Sequence, residues 1–461
     1  MSTQAINALE AFHWTPQPKA EQFVREVVDG YLSNFPAAAN VARRMKDETG
    51  TRFYDWVETI QLPDSKSLRQ RLADVGYINF SDRLCMYPWI FSQPQGIFPR
   101  IHLHDGKFQA VHLKVGSVEE FVKAWNVTEL IEGEPLSPYR RVKAFSDSAH
   151  LLVAAERWGW TSYDVPPHDP LQAREAAATL EAFCSRQREF EDESAGFDEA
   201  IKLIEDSILP VDQKCALWFE AERRYWQSRN RAAQVQKARQ DKLGLGWGNH
   251  DHHTYRSSRK NFARLVEVWE KLGFECRERF YAGREAGWGA QVMEQPFAQI
   301  ITFNDVDLSP EELMGDFSHD GLSSVTGEKL GTVGLWCALH GEAFLEAGMH
   351  HLEAQFDFES LRQQLEKENV KMMKPFTNFS YLRQAFTEGE RWPVREQKIQ
   401  KLLGQRQITM EQAQEFRRNG AIGSHLENLE RNEGFKGFNQ TGVSEIISAT
   451  DPRKQHSAVL P

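Results

Sequence analysis

At 461 residues the chain is long enough for two or three domains, given the usual ~100–200 residues per domain. Apolar residues at 41% and charged residues at 26% exclude wholesale disorder. With 66 acidic against 55 basic residues the net charge is −11, a poor balance for gripping a phosphate backbone. No apolar run approaches the ~18 residues of a bilayer span, and the opening MSTQAINALEAFHW lacks the basic and apolar blocks of a signal peptide. Five scattered cysteines (Cys85, Cys184, Cys215, Cys276, Cys337), none in CxxC spacing, argue against a disulfide framework and a structural zinc site. The expectation is a soluble cytoplasmic protein without a nucleic-acid or membrane partner.

In chain order, RFYDWVETI reads as a strand, SKSLRQRLADVGY as a helix closed by Gly76, and MYPWIFS and FPRIHLHD as strands. Residues 166–245 change character. LQAREAAATLEAFCSRQREFEDE and ALWFEAERRYWQSRNRAAQVQKARQDK have helix composition and read as a connector with a solvated charged face, broken by the turn GLGWGN. The first order then repeats: NHDHHTYRSS as strand, NFARLVEVWEKLGF as helix, and ERFYAG, GWGAQVME and FAQIITFN as strands. A last module follows, with MHHLEAQF as strand, ESLRQQLEKENV as helix, an insertion rich in Lys, Arg and Gln, and GSHLENLER and SEIISA as strands.

Repetition of strand, helix and a Gly-aromatic ending points to internal duplication, with βαβββ modules curling a sheet around a pocket. The predicted fold class is α+β. Residues 1–165 form an N-terminal degenerate, metal-free copy, 166–245 a helical connector and 246–461 the metal-binding catalytic domain. Side-by-side placement sets Asp55 against Asp251 and Trp56 against His252.

His250, Asp251, His252 and His253 are the densest polar cluster. Alternation along a strand puts His250, His252, Thr254 and Arg256 on one face. His252 and Arg256 are then roughly 13 Å apart at Cα, which leaves room for a small dianion between a metal on His252 and the Arg256 guanidinium. His350 and His351 open the corresponding strand of the last module, and His351 is preferred because Leu352 restores the apolar alternation. Two histidines and a carboxylate on one face suit non-haem Fe(II) with open positions. Composition leaves Glu427, Glu430, Glu342, Glu353 and Glu433 all open as that carboxylate.

DHHTYRSSRKNFARLVEVWEKLGFECRERFYAG and the tail GSHLENLERNEGFKGFNQTGVSEIISATDP resemble the 2-oxoadipate dioxygenase/decarboxylase (hydroxyglutarate synthase) family over about residues 225–461. The resemblance implies a vicinal-oxygen-chelate fold, Fe(II), and conversion of a 2-oxo dicarboxylic acid and O₂ to a shorter 2-hydroxy acid and CO₂. It places the metal ligands on His252, His351 and Glu427, the substrate-carboxylate arginine on Arg256, and two substrate-side residues on Phe438 and Asn439. Family members carry Asn-His where this chain has His350-His351, and a smaller residue where it has Phe438. The rivals are another metal enzyme on the same fold, whether isomerase, lyase or ring-cleaving dioxygenase, and a non-catalytic small-acid-binding protein. No phosphate loop or nucleophile elbow is present in the sequence.

Overall fold

The computed structural model describes residues 14–79, 89–159, 164–323, 329–439 and 451–453. Helices α1 (Pro18–Asn34) and α2 (Pro36–Arg44) precede a first sheet. Its elements are β1 (Val57–Pro63), α3 (Lys66–Asp74), β2 (Ile78–Asn79), β3 (Ile90–Ser92), β4 (Arg100–His104), β5 (Gln109–Lys114), α4 (Val118–Trp125), β6 (Tyr139–Ser146) and β7 (His150–Arg157). The strand order is β2-β3-β4-β1-β5-β7-β6. β1 runs parallel to β4 and β5 parallel to β7, while β1 and β5 are antiparallel neighbours. Each half is a strand–helix unit whose last strand returns beside its first. FYDW, expected to begin β1, is instead a 3-10 turn (Phe53–Trp56) in which Asp55 pairs with Arg52. The ion pair satisfies Asp55 locally and holds it out of the ladder.

Four helices follow: α5 (Pro170–Ser185), α6 (Glu193–Asp206), α7 (Val211–Ser228) and α8 (Arg231–Asp241). Asn230 divides the long helical run by capping α8, its side chain accepting from the Ala233 N–H. The layer is no solvated connector. Trp218, Phe219 and Trp226 are fully buried, and each such aromatic contributes on the order of 1.5–3 kcal/mol. Glu222 of α7 is also buried, 2.9 Å from Arg186 and 2.6 Å from Arg188.

The second sheet repeats the first. Its elements are β8 (His250–Arg256), α9 (Phe262–Lys271), β9 (Glu275–Tyr281), β10 (Trp288–Gln295), β11 (Ile300–Asp307), α10 (Thr332–His340), β12 (His351–Gln355), α11 (Phe358–Lys367), β13 (Thr377–Phe379), β14 (Leu382–Phe386), β15 (Glu390–Trp392), α12 (Glu396–Gly404), α13 (Met410–Asn419) and β16 (Ala421–Arg431). The order is β13-β14-β16-β12-β8-β11-β10-β9, with β15 on β16. β8 is parallel to β11, β12 is parallel to β16, and β8 and β12 are antiparallel. These are two complete βαβββ modules, as the vicinal-oxygen-chelate resemblance implies. α9 packs Phe262, Leu265, Val266 and Trp269 inward at helical spacing. The insertion folds into α12 and α13, whose Ile399, Leu402 and Phe416 pack on Leu335 and Leu339 of α10. The expected strand SEIISA lies outside the described residues. No helix among them is long and apolar enough to cross a membrane.

The GLGWGN run joins the two sheets. Gly244 and Gly246 have φ of +67° and +62°, which favours glycine. A Cβ on Gly244 would overlap the Phe121 backbone of α4, and one on Gly246 the backbone of Gly116. The segment is a contact between lobes as well as a turn.

Candidate metal centre

β8 and β12 lie at the middle of the second sheet, and a bulge interrupts their pairing. His252 faces Glu353, but the next pair is His250 with Ala354, which leaves Asp251 as the extra residue. The bulge reverses the facing of everything before it. His250 therefore lies against His253, ring centroids 5.3 Å apart, and meets Lys114 of the first sheet at 3.5 Å. The expected grouping of His250 with His252 fails for this reason. His252, Thr254 and Arg256 do share the opposite face and line one cavity of about 70 Å³.

Four side chains converge in that cavity. Nε2 of His252 is 2.9 Å and Nε2 of His351 2.7 Å from the same Oε1 of Glu353, which also accepts from Thr254 Oγ1 at 2.8 Å. Oε2 of Glu427 lies 3.7 Å from Nε2 of His351. Glu427 accepts from Gln384 Nε2 at 2.8 Å through its other oxygen. All four are buried. Glu353 Oε2 and His351 Nδ1 have no hydrogen-bond partner among the described residues. His350, the alternative ligand, also lines the cavity but turns Nδ1 to the Gly423 carbonyl at 3.0 Å.

The electrostatics follow from this crowding. Burial and the Glu353 charge push Glu427 far above the usual carboxylate range. Burial opposes ionisation of Glu353, but His252 and His351 outweigh it and hold that carboxyl low. Burial likewise opposes charge on His252, and Glu353 with Asp251 overcomes it, raising the imidazole to about 9. Ligand atoms of His351, Glu353 and Glu427 all lie within 4.8 Å of one another, close enough for one divalent cation, and His252 reaches the same Glu353 oxygen from the other side.

Behind the donors is a supporting layer. Oδ1 of Asp251 lies 2.8 Å from Nδ1 of His252, which directs Nε2 into the cavity. Asp251 is fixed by Arg431 through bonds of 2.9 and 3.0 Å and by Gln355 Nε2 at 2.9 Å. The cavity walls are aromatic. Phe438 is 4.8 Å from the His252 ring and 5.0 Å from Phe303, while Asn439 donates to Thr377 Oγ1 at 3.1 Å. Arg256 closes the polar end, where it does not stand alone. Asp305 of β11 lies 3.7 Å from it, burial raises that carboxyl to about 8, and Arg256 Nε and Asp305 Oδ1 both lack hydrogen-bond partners among the described residues.

All six residues expected at the site line this cavity: His252, Arg256, His351, Glu427, Phe438 and Asn439. Glu353 was expected only as one competitor among several and Asp251 only as a member of the polar cluster, while Asp305 and Arg431 were not singled out. Strand alternation gave a signal for Glu353, which stands two residues after His351 and so shares its face. Asp305 becomes visible only through the parallel register that sets it beside Arg256.

Register also corrects the alignment of the copies. β1 has a bulge where β8 has one, and past it Thr59 faces His112 as His252 faces Glu353. Thr59 is therefore the counterpart of His252, three residues beyond the Trp56 expected. By the same pairing Ala110 corresponds to His351 and, through β7, Val153 to Glu427.

No protein-family model matches the chain, and a search of curated proteins found no match. Among solved structures, a putative hydrolase from Shewanella frigidimarina NCIMB 400 is 12% identical, with a TM-score of 0.31 over 55% of this chain and 99% of that one. A mutant 4-hydroxymandelate synthase from Streptomyces coelicolor is 12% identical, with a TM-score of 0.30 over 74% and 96%. Methylmalonyl-CoA epimerase from Mycobacterium tuberculosis is 10% identical, with a TM-score of 0.23 over 40% and 89%. What the cavity can do is decided by its own side chains.

Proposed function

We propose that this chain is a non-haem Fe(II) dioxygenase/decarboxylase that turns a small 2-oxo dicarboxylic acid (2-oxoadipate-like) and O₂ into a 2-hydroxy acid and CO₂. The observation that supports it most is the convergence of His252, His351 and two buried carboxylates on one small cavity with a guanidinium at its far end. His252, His351 and Glu427 would hold the ion. Bound iron supplies the O₂ chemistry and a chelation point for the 2-oxo carboxylate. The chain's own part is positioning. Arg256 offers two N–H donors to the distal carboxylate, with Asp305 setting its orientation. Phe303 and Phe438 exclude water beside His252, and Phe438 narrows the space for the substrate chain. Asn439 stands at the substrate side, tied to Thr377.

Glu353 favours a second reading. If it joins the other three as a fourth donor, fewer positions stay open for substrate and O₂, which suits an isomerase or lyase that uses the metal as a Lewis acid. Metal analysis of anaerobically purified protein with a His252→Ala control, followed by O₂ uptake with a panel of 2-oxo acids, separates the readings. Near one iron per chain and substrate-dependent O₂ consumption is the expected result. Zinc or manganese without O₂ uptake supports the isomerase or lyase, and no metal in either protein sinks both.

A further inference from the structure

We propose that the seam between the two sheets is a second binding site, for a small oxyanion such as phosphate, sulfate or a carboxylate. The seam holds a cavity of about 50 Å³ on the far side of β8 from the metal centre. Lys114, Arg157, Arg223, His250, Glu156 and Glu220 line it. Space of that size takes on the order of three or four water-sized groups, enough for an ion and little more.

The charges do not balance. Both lining carboxylates are already engaged. Glu220 pairs with Arg223 at 3.1 Å and Arg224 at 2.8 Å. Glu156 accepts from the Val118 N–H at 2.9 Å and Trp158 Nε1 at 2.8 Å, with Arg140 at 3.7 Å. Arg157 is paired with Glu58. Lys114 is left over. It makes no ion pair among the described residues, and its neighbour is Nε2 of His250 at 3.5 Å. The carboxylate that acts on it is Glu58, which lies beyond ion-pair distance and is already claimed by Arg157.

The donors do not balance either. Lys114 Nζ only donates, so the His250 Nε2 it meets is an acceptor. The ring proton is then on Nδ1, and that N–H has no partner among the described residues. Arg223 is 7% exposed and gives NH1 to His253 at 3.3 Å, yet its Nε–H is unpartnered as well among the described residues. One ammonium and two unclaimed N–H groups around a small cavity match an oxyanion, which only accepts. Burial draws Lys114 down to about 8, consistent with a site that holds its charge best when an anion is present.

The test uses the full-length, metal-free protein at constant ionic strength set by chloride. Thermal denaturation and calorimetric titration follow added inorganic phosphate, sulfate or acetate. Saturable stabilisation by at least one of them is expected in the wild type and equally in His252→Ala, which separates this site from the metal centre. Which anion acts distinguishes a phosphate-type from a carboxylate ligand. Lys114→Met should bind at least ten-fold more weakly, and Lys114→Arg should retain most of the affinity. Independently of any variant, a selenate soak of wild-type crystals should place anomalous density between Lys114 and Arg223. No saturable response to any of the three, Lys114→Met binding as tightly as the wild type, or selenate absent from the seam would each overturn the proposal.

Discussion

In the second sheet the positions facing the cavity across the central strands are His252, His351, Glu353 and Glu427, and their counterparts in the first are Thr59, Ala110, His112 and Val153. Three of the four donors are gone, and burial pulls the remaining His112 down to about 3, beside Tyr139 at 3.0 Å. One feature nevertheless persists in both. The bulge residue Asp251 is ion-paired to Arg431, four residues after Glu427, and the bulge residue Glu58 is ion-paired to Arg157, four residues after Val153. A buried pair kept where the converging histidines and carboxylates are absent belongs to the fold, since it anchors the bulge to the strand two places away. The donors belong to the chemistry.

Substitution can break this comparison at several depths. The largest contrast is His252→Ala against Thr59→Ala: the first should abolish metal binding and turnover, and the second should leave metal content unchanged by elemental analysis. Next come Arg431→Met and Arg157→Met. Each strands a buried carboxylate and should cost about 3–5 kcal/mol in urea denaturation. Only the Arg431 variant should also weaken metal binding, by about 10–100-fold, because Asp251 then no longer holds His252. Equal losses of metal affinity in the two would refute the division between fold and chemistry.

Glu427→Gln and Glu353→Gln sharpen the contrast within the second sheet. Under the three-ligand reading, titration with Mn(II) followed by electron paramagnetic resonance should show Glu427→Gln losing the ion and Glu353→Gln binding within a few-fold of wild type. Comparable losses would instead establish the four-donor centre. The smallest effect concerns Asp305. Its carboxyl titrates near 8 in the fold, raised by burial, against about 3.9 when unfolded. The folded state therefore binds the extra proton between those values, so stability falls as pH rises from about 4 to 8 and stays reduced above. Asp305→Asn should flatten that decline in denaturation midpoints measured across the range, and an unchanged slope would rule out the assignment.

Much of the second half was legible because it is periodic. The β8–α9 unit announces itself by a polar strand, an amphipathic helix and Gly273, and alternation carried His252 and Arg256 to one face correctly. Alternation then failed at His250, since a bulge is a property of pairing with β12 and leaves no mark in the strand itself. Glu353 could not be ranked against Glu427 for a related reason. They stand side by side in parallel register while 74 residues separate them in sequence (427 − 353). The helical run of residues 166–245 looked solvated because its charges are many. Its Trp218 and Phe219 pack inward, and Arg186 and Arg188 both pair with Glu222 in the interior.

The glycine run before β8 sets a mechanical limit on this arrangement. Gly244, Gly246 and Gly248 press on the backbone at Phe121, Gly116 and Lys114, where a side chain would not fit. β8 begins two residues after Gly248. The lobe without metal donors thus serves as a mounting plate for the strand that carries them, and a single methyl group is the tolerance to which that strand is seated.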